Sequence, residues 1–294
     1  MRRKRRMGKK LLLVAILMLL CVVATAYLLK TVGDMREQRE AAAEEAAQQE
    51  AADAAEAEAA AAQEAAAKKD EQVYAYSGSK DNNRYTMTAY DNAVEAGCGA
   101  IVLPFVVSQD GTLIVADDDY AQDLTGYGGY FSGMTDGQIE NLETKSGDKI
   151  LKLADVFDKY GKDMNYIIDV KYTSERNLMA LKELINQKDV ADVVSISSEY
   201  FSGLRSLDNE FPDCPKIFLC SGEEGWAEAL GTDYVDAISV TSEMMSDERC
   251  KTAKDSKKKF GAGILSSEED INKAKDMDAD FFFTDAAALA TGNE

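Results

Sequence analysis

The residues with chemical potential in this 294-residue chain are few. Asp169 and Lys171 stand two apart in "YIIDVK", so on an extended strand they share a face, as an internal salt bridge or as a ligand contact. Three consecutive acids, Asp117 to Asp119, follow the β-rich run "TLIVA". Their oxygens suit calcium, but no glycine and no spaced set of further ligands accompanies them, so a solvated acidic turn is the plainer reading. Tyr127, in "TGYGGYF", offers an exposed aromatic ring for gripping a sugar or a protein. The chain contains no histidine. Proton transfer near neutral pH would therefore fall to a carboxylate, tyrosine, cysteine or lysine with a strongly shifted pKa.

Cysteine adds little to that inventory. Beyond Cys21, the sequence has Cys98, Cys214, Cys220 and Cys250, with no repeated spacing and no histidine to complete a zinc site. Cys214 and Cys220 are close enough in sequence to pair in an oxidising compartment, or to remain free buried thiols.

Charge and hydropathy divide the chain. Residues 1–10 form a basic tail with seven Lys and Arg, and Leu11 to Leu29 carry no charge. Nineteen such residues span a bilayer as a helix at about 1.5 Å per residue. The basic flank predicts a cytoplasmic N-terminus, with everything after a transmembrane helix at 11–30 outside the cytoplasm. A cleaved signal ending at "ATA" is the competing reading, although the apolar run continues to Leu29. The remaining 26 Lys and Arg face 53 Asp and Glu, a net of −27. Such a body excludes nucleic-acid binding by phosphate neutralisation and is repelled by anionic headgroups, leaving membrane contact to the N-terminal segment.

Residues 31–70 read as a helical stalk. Between Ala41 and Ala67, 17 of 27 residues are alanine and nearly all others are Glu, Gln or Asp, with no Gly, Pro or β-branched residue. These are the strongest helix formers. Large apolar residues at heptad positions are missing, so a solvated spacer is expected, with self-association through an alanine seam as the alternative.

Residues 71–294 alternate β-rich and helical patterns. Strands are expected at Val73–Tyr76, Ala100–Val106, Thr112–Ala116, Tyr166–Lys171, Asp192–Ser197, Lys216–Cys220, Val235–Val240 and Gly261–Leu265, with amphipathic helices such as "TMTAYDNAVEAG" and "SERNLMALKELINQ" between most of them. Eight strands alternating with helices predict an α/β fold of the (β/α)8 TIM-barrel type. One link is irregular: "VSQDG", between the second and third strands, is too short for a helix.

In order and spacing, this domain resembles the glycerophosphodiester phosphodiesterases, of the phospholipase C-like barrel group. Their first strand ends in His-Arg-Gly where this chain has Tyr76-Ser77-Gly78, and their Glu-Asn-Thr helix start corresponds to Arg84-Tyr85-Thr86. The Glu-x-Asp of the second strand becomes Val102-Leu103-Pro104, the Lys-Asp-Gly turn Gln109-Asp110-Gly111, and the His-Asp of the third strand Ala116-Asp117. Their T-x-G-x-G loop is kept as Thr125 to Gly129, the fourth-strand Glu-x-Lys as Asp169-Val170-Lys171, and the closing Thr-Asp segment within "DADFFFTD". Trp226 does not match the family's tryptophan, where Ala262 or Gly263 stands.

The resemblance implies two histidines as general acid and base, and carboxylates holding a divalent cation. At the histidine positions stand Tyr76 and Ala116, at the carboxylate positions Val102 and Pro104, and at that of an Arg that steadies the phosphate Ser77, so no catalytic residue, cofactor or metal site is expected. Asp117, Asp169, Lys171 and Tyr127 remain as binding candidates. The expected protein is a membrane-anchored, extracytoplasmic barrel that binds or scaffolds an envelope ligand or protein partner. The alternative is a phosphoric diester hydrolase of altered mechanism, which requires Asp117, Asp169 and Lys171 to converge in an open pocket.

Overall fold

The computed structural model describes residues 70–78 and 84–293, together with the isolated residue Met18. The rest of the basic tail, the apolar segment 11–30 and the stalk up to residue 69 lie outside the described residues, so the expectations placed on them are not addressed by the fold. Among the described residues, no helix is long and apolar enough to cross a membrane. The chain divides into two compact units, Met1–Glu64 and Ala65–Glu294, and everything below concerns the second.

Nine strands form this unit: β1 (Asp70–Tyr76), β2 (Cys98–Val107), β3 (Leu113–Val115), β4 (Asn165–Asp169), β5 (Val194–Ser198), β6 (Lys216–Cys220), β7 (Ala237–Val240), β8 (Lys259–Leu265) and β9 (Phe281–Thr284). Eight of them, all but β3, pair in parallel and close through β1–β2 and β1–β9 into a barrel. The main crossover helices are α1 (Met87–Glu95), α2 (Leu153–Tyr160), α3 (Glu175–Lys188), α4 (Phe201–Glu210), α5 (Glu223–Leu230), α6 (Asp247–Asp255), α7 (Glu268–Asp276) and α8 (Ala287–Thr291). Their starts follow local chemistry. The Thr86 hydroxyl accepts from the Ala89 N–H at 3.2 Å at the head of α1, and Ser174 caps α3 by accepting from Asn177.

The stave set differs from the expected one at two places. Thr112–Ala116 is not a barrel strand: β3 turns back at Gly111 (φ +97°) and pairs antiparallel with the outer half of β2. The eighth stave is β9, whose "FFFT" is fully buried. A run of three phenylalanines has no period to distinguish strand from helix, whereas β3 is β-rich because both its faces are covered, one by the main core and one by a second small cluster around Phe131 and Ile139.

Burial in the barrel wall alternates between two cores. Outward residues such as Ile101, Ile168, Ile196, Ile238 and Phe282 pack against the helices, while Ala100, Val102, Ile167, Ile217, Ala237, Phe281 and Phe283 fill the interior. The interior is crowded at β9. The Tyr74 ring stacks on Phe281 with centroids 4.9 Å apart, and a Cβ at Gly261 would lie 2.3 Å from the Phe281 ring. Only glycine permits β8 to pass so close.

Pro104 sits where its missing N–H matters least. The β2–β4 ladder ends at the Pro104–Asp169 pair, and the β2–β3 ladder begins at Phe105.

Candidate functional site

A cavity of about 210 Å³ opens inside the carboxyl-terminal end of the barrel. Nearly every stave contributes to it: Tyr76 from β1, Val102 from β2, Asp169 from β4 with Lys171 just after it, Ser197 from β5 with Glu199 just after it, Leu219 from β6, Gly263 and Ile264 from β8, and Phe283 from β9. This is the end at which TIM barrels carry their active sites, because loop and strand-end side chains converge there.

Asp169 is the centre of its chemistry. Its side chain is 97% shielded, since the residue retains 3% of its exposure, and Oδ1 accepts a hydrogen bond from the Ser197 hydroxyl at 3.1 Å. Burial pushes its pKa up to about 6; the Lys171 ammonium and the Ser197 hydroxyl hold it down, while Glu199 and Asp117 add to the rise. Lys171 acts on Asp169 through space, because its Nζ donates to the backbone carbonyl of Asp117 at 2.8 Å.

A cluster of phenols occupies the end of β1 and the start of α1. Tyr76 and Tyr85 share a hydrogen bond, and the Tyr90 hydroxyl donates to the Val102 carbonyl at 3.0 Å. Burial drives all three hydroxyls well above the ordinary phenol range, so they remain neutral at physiological pH. Tyr76 thus gives the cavity volume and a neutral hydroxyl, not a group that ionises near neutrality.

The other expected site residues are more dispersed. Asp169, Lys171, Tyr76 and Val102 share the cavity. Asp117 does not line it, since β3 is not a stave; its main-chain carbonyl accepts from Lys171, and its carboxylate adds to the rise at Asp169. Ser77 is buried beside the cavity with φ +57°, and its carbonyl accepts from the Tyr85 N–H. Pro104 lies in the wall, with its carbonyl accepting from the Ala116 N–H at 3.2 Å, and Ala116 packs into the second small core. Tyr127 is 51% exposed and does not line the cavity. Trp226 packs edge-on against Phe260 beneath Arg249, away from the mouth.

Sequence reasoning missed Ser197, Glu199, Leu219, Ile264 and Phe283. The signal for the first two was available: in "SISSEY" residues 197 and 199 alternate on one face, by the same rule that joins Asp169 to Lys171.

The donor set does not fit a divalent cation. Asp169 and Glu199 are the carboxylates lining the cavity, with an ammonium beside them, and among the described residues no group of three or more His, Cys, Asp or Glu could hold a metal ion. A hard divalent cation takes about six to eight oxygens, several of them anionic, in sites built by protein. Cys214, Cys220 and Cys250 are free and buried, so Cys214 and Cys220 do not pair; Cys98 is buried as well.

Comparison with known proteins agrees with this architecture. A glycerophosphodiester phosphodiesterase of Caldanaerobacter subterraneus subsp. tengcongensis is 27% identical over 177 residues, covering 54% of this chain and 71% of that protein. The structure of a glycerophosphodiester phosphodiesterase from Thermotoga maritima superposes with a TM-score of 0.65 at 20% identity, over 76% of this chain and 98% of its own. An Oleispira antarctica phosphodiesterase, solved in complex with the product sn-glycerol-3-phosphate, superposes with a TM-score of 0.67 at 18% identity, over 76% and 96%. The sequence profile of the glycerophosphoryl diester phosphodiesterase family matches residues 77–287, from the end of the first stave to the last helix. The chain is a member of the glycerophosphoryl diester phosphodiesterase family.

Proposed function

We propose that this protein is a non-catalytic member of its family, an extracytoplasmic barrel anchored by its N-terminal segment that binds a ligand or partner at the cell envelope. The observation that carries the reading is the composition of the cavity. Tyr76 and Val102 line it where the family resemblance calls for a histidine and a metal carboxylate, and the cation-binding set is reduced to Asp169 with Glu199 nearby. Loss of general acid and base alone lowers a rate by about 10²–10⁴. The basic tail and the uncharged segment that follows it support the anchor, and the −27 charge of the remainder supports a body held off the membrane surface.

One observation favours the second reading, a hydrolase of altered mechanism: a buried carboxyl with a pKa of about 6 in an open cavity is poised for proton transfer. Against it, the Tyr76 phenol that shares the cavity stays neutral, and among the described residues no group of three or more His, Cys, Asp or Glu gathers to hold a metal ion. The test is to incubate the purified full chain with glycerophosphodiesters and divalent cations. The proposal expects no glycerol phosphate above the blank; turnover abolished by Asp169→Asn would establish the hydrolase instead.

A further inference from the structure

The walls of the cavity point to a ligand of different charge from a phosphodiester. The family's reaction concerns an anion, yet two carboxylates, Asp169 and Glu199, line this cavity against the single cation Lys171. That lysine already donates to the Asp117 carbonyl. Asp117, Asp118 and Asp119 stand nearby: Asp117 contributes to the fields at Asp169 and Tyr76, and Asp118 and Asp119 to that at Tyr172. A phosphate would enter a region of net negative charge with no arginine on the cavity wall.

A cation meets the opposite difficulty. The Lys171 ammonium sits in the same cavity, repels a second cation and has no lone pair to accept from one. The cavity therefore offers donors and acceptors on one side and apolar surface, from Val102, Leu219, Ile264 and Phe283, on the other. Hydroxyl groups, which both donate and accept, match the first side, and the C–H faces of a sugar ring match the second. Two further features agree. On β7, Ile238 and Val240 face the helices, so Ser239 faces the interior beside Leu219, and its Oγ is buried with no hydrogen-bond partner. At the rim, Tyr172 and Tyr200 are 46% and 52% exposed, and the Tyr200 hydroxyl bonds to Glu199.

We propose that the cavity binds an uncharged carbohydrate, through hydrogen bonds from its hydroxyls to Asp169 and Glu199 and from Lys171 to the sugar, with the ring against Phe283 and Ile264. The inference rests on the reading of this site as a binding rather than a hydrolytic one. Its ligand is either a free sugar or the end of a neutral glycan, two sources of one chemistry.

The experiment is calorimetric titration of the full chain with D-glucose, with maltotetraose as a glycan end, and with sn-glycerol 3-phosphate and spermidine as the anionic and cationic comparators. Binding of a neutral sugar with a Kd of about 1 mM or tighter, and at least tenfold tighter than either charged probe, is the expected result; which of the two sugars binds better identifies the source. Asp169→Asn and Glu199→Gln should each weaken it by about tenfold, the loss of one charge-assisted hydrogen bond. Glu199 is exposed, so its variant tests the contact without altering a buried group. Preference for glycerol phosphate or spermidine, no sugar binding, or sugar binding indifferent to Glu199→Gln overturns the inference. Those outcomes without hydrolysis leave the non-catalytic reading standing, whereas hydrolysis removes that reading itself.

Discussion

Replacing Asp169 by Asn should stabilise the barrel, and the size of the gain can be worked from its surroundings. The side chain is almost wholly buried, and burial raises its pKa from 3.8 to about 6. Roughly two units at about 1.4 kcal/mol each give about 3 kcal/mol, the penalty of keeping a charge in this site at neutral pH. The sign follows from linkage. Below about pH 4 the carboxyl is protonated in both folded and unfolded chains and no penalty exists; between about 4 and 6 the unfolded chain ionises first and stability falls; above about 6 the penalty is complete. Asn is nearly isosteric and its carbonyl still accepts from the Ser197 hydroxyl. Urea unfolding of the wild type and Asp169→Asn across pH 3.5–8 should therefore show a difference near zero at the acid end, growing to about 3 kcal/mol at pH 7.5 with an unchanged m-value. In a domain of this size that corresponds to a Tm rise of about 5–10 °C. A variant no more stable than the wild type at pH 7.5, or a difference that does not vary with pH, refutes the argument that a buried charge is being held there at a cost. A gain of the expected size is what a residue retained for ligand contact rather than for packing produces.

Other consequences are independent of the cavity. Lys216 is buried at the start of β6, its ammonium donating to the Phe211 carbonyl at 2.5 Å and lying 3.2 Å from the Asp208 carboxylate; Lys216→Met should cost about 2–4 kcal/mol in chemical denaturation by leaving buried acceptors unmade. Gly261→Ala drives a methyl into the Phe281 ring and should destabilise by about 2 kcal/mol or more, with Phe281→Leu in the same chain recovering part of the loss. Cys214, Cys220 and Cys250 are buried with thiol pKa values pushed up chiefly by burial, so labelling by a neutral maleimide should be slow in the native protein and rapid in urea; prompt native labelling contradicts their placement.

The barrel was legible because its staves are buried on both faces and punctuated by capped helices; Thr86 and Ser174 mark two helix starts at sequence level. What pattern alone could not supply was the identity of the eighth stave. "FFFT" makes sense as a strand only beside Gly261 and Gly263, whose missing side chains admit Phe281 and Phe283, and that pairing is a fact of packing. The site was legible in halves for the same reason. Asp169 and Lys171 reach the cavity because a two-residue period along the end of a stave puts them on one face, and Tyr76 and Val102 fall on its wall. Asp117 was carried by the resemblance at the end of the third β-rich run, but β3 pairs outside the barrel, so the residue meets Lys171 through its carbonyl and does not line the cavity. Phe283 and Ile264 join the wall through barrel closure, which links segments remote in sequence.

The central claim, a barrel of this family whose mouth neither cleaves nor prefers phosphate, is tested most directly by phosphorus NMR of the full chain mixed with glycerophosphocholine and a divalent cation. One spectrum series follows both the ester and its product. The account predicts a diester signal that persists unchanged and unbroadened over days, with no glycerol phosphate beyond the protein-free control. Growth of a glycerol phosphate resonance in proportion to protein concentration, lost on Asp169→Asn, would contradict it.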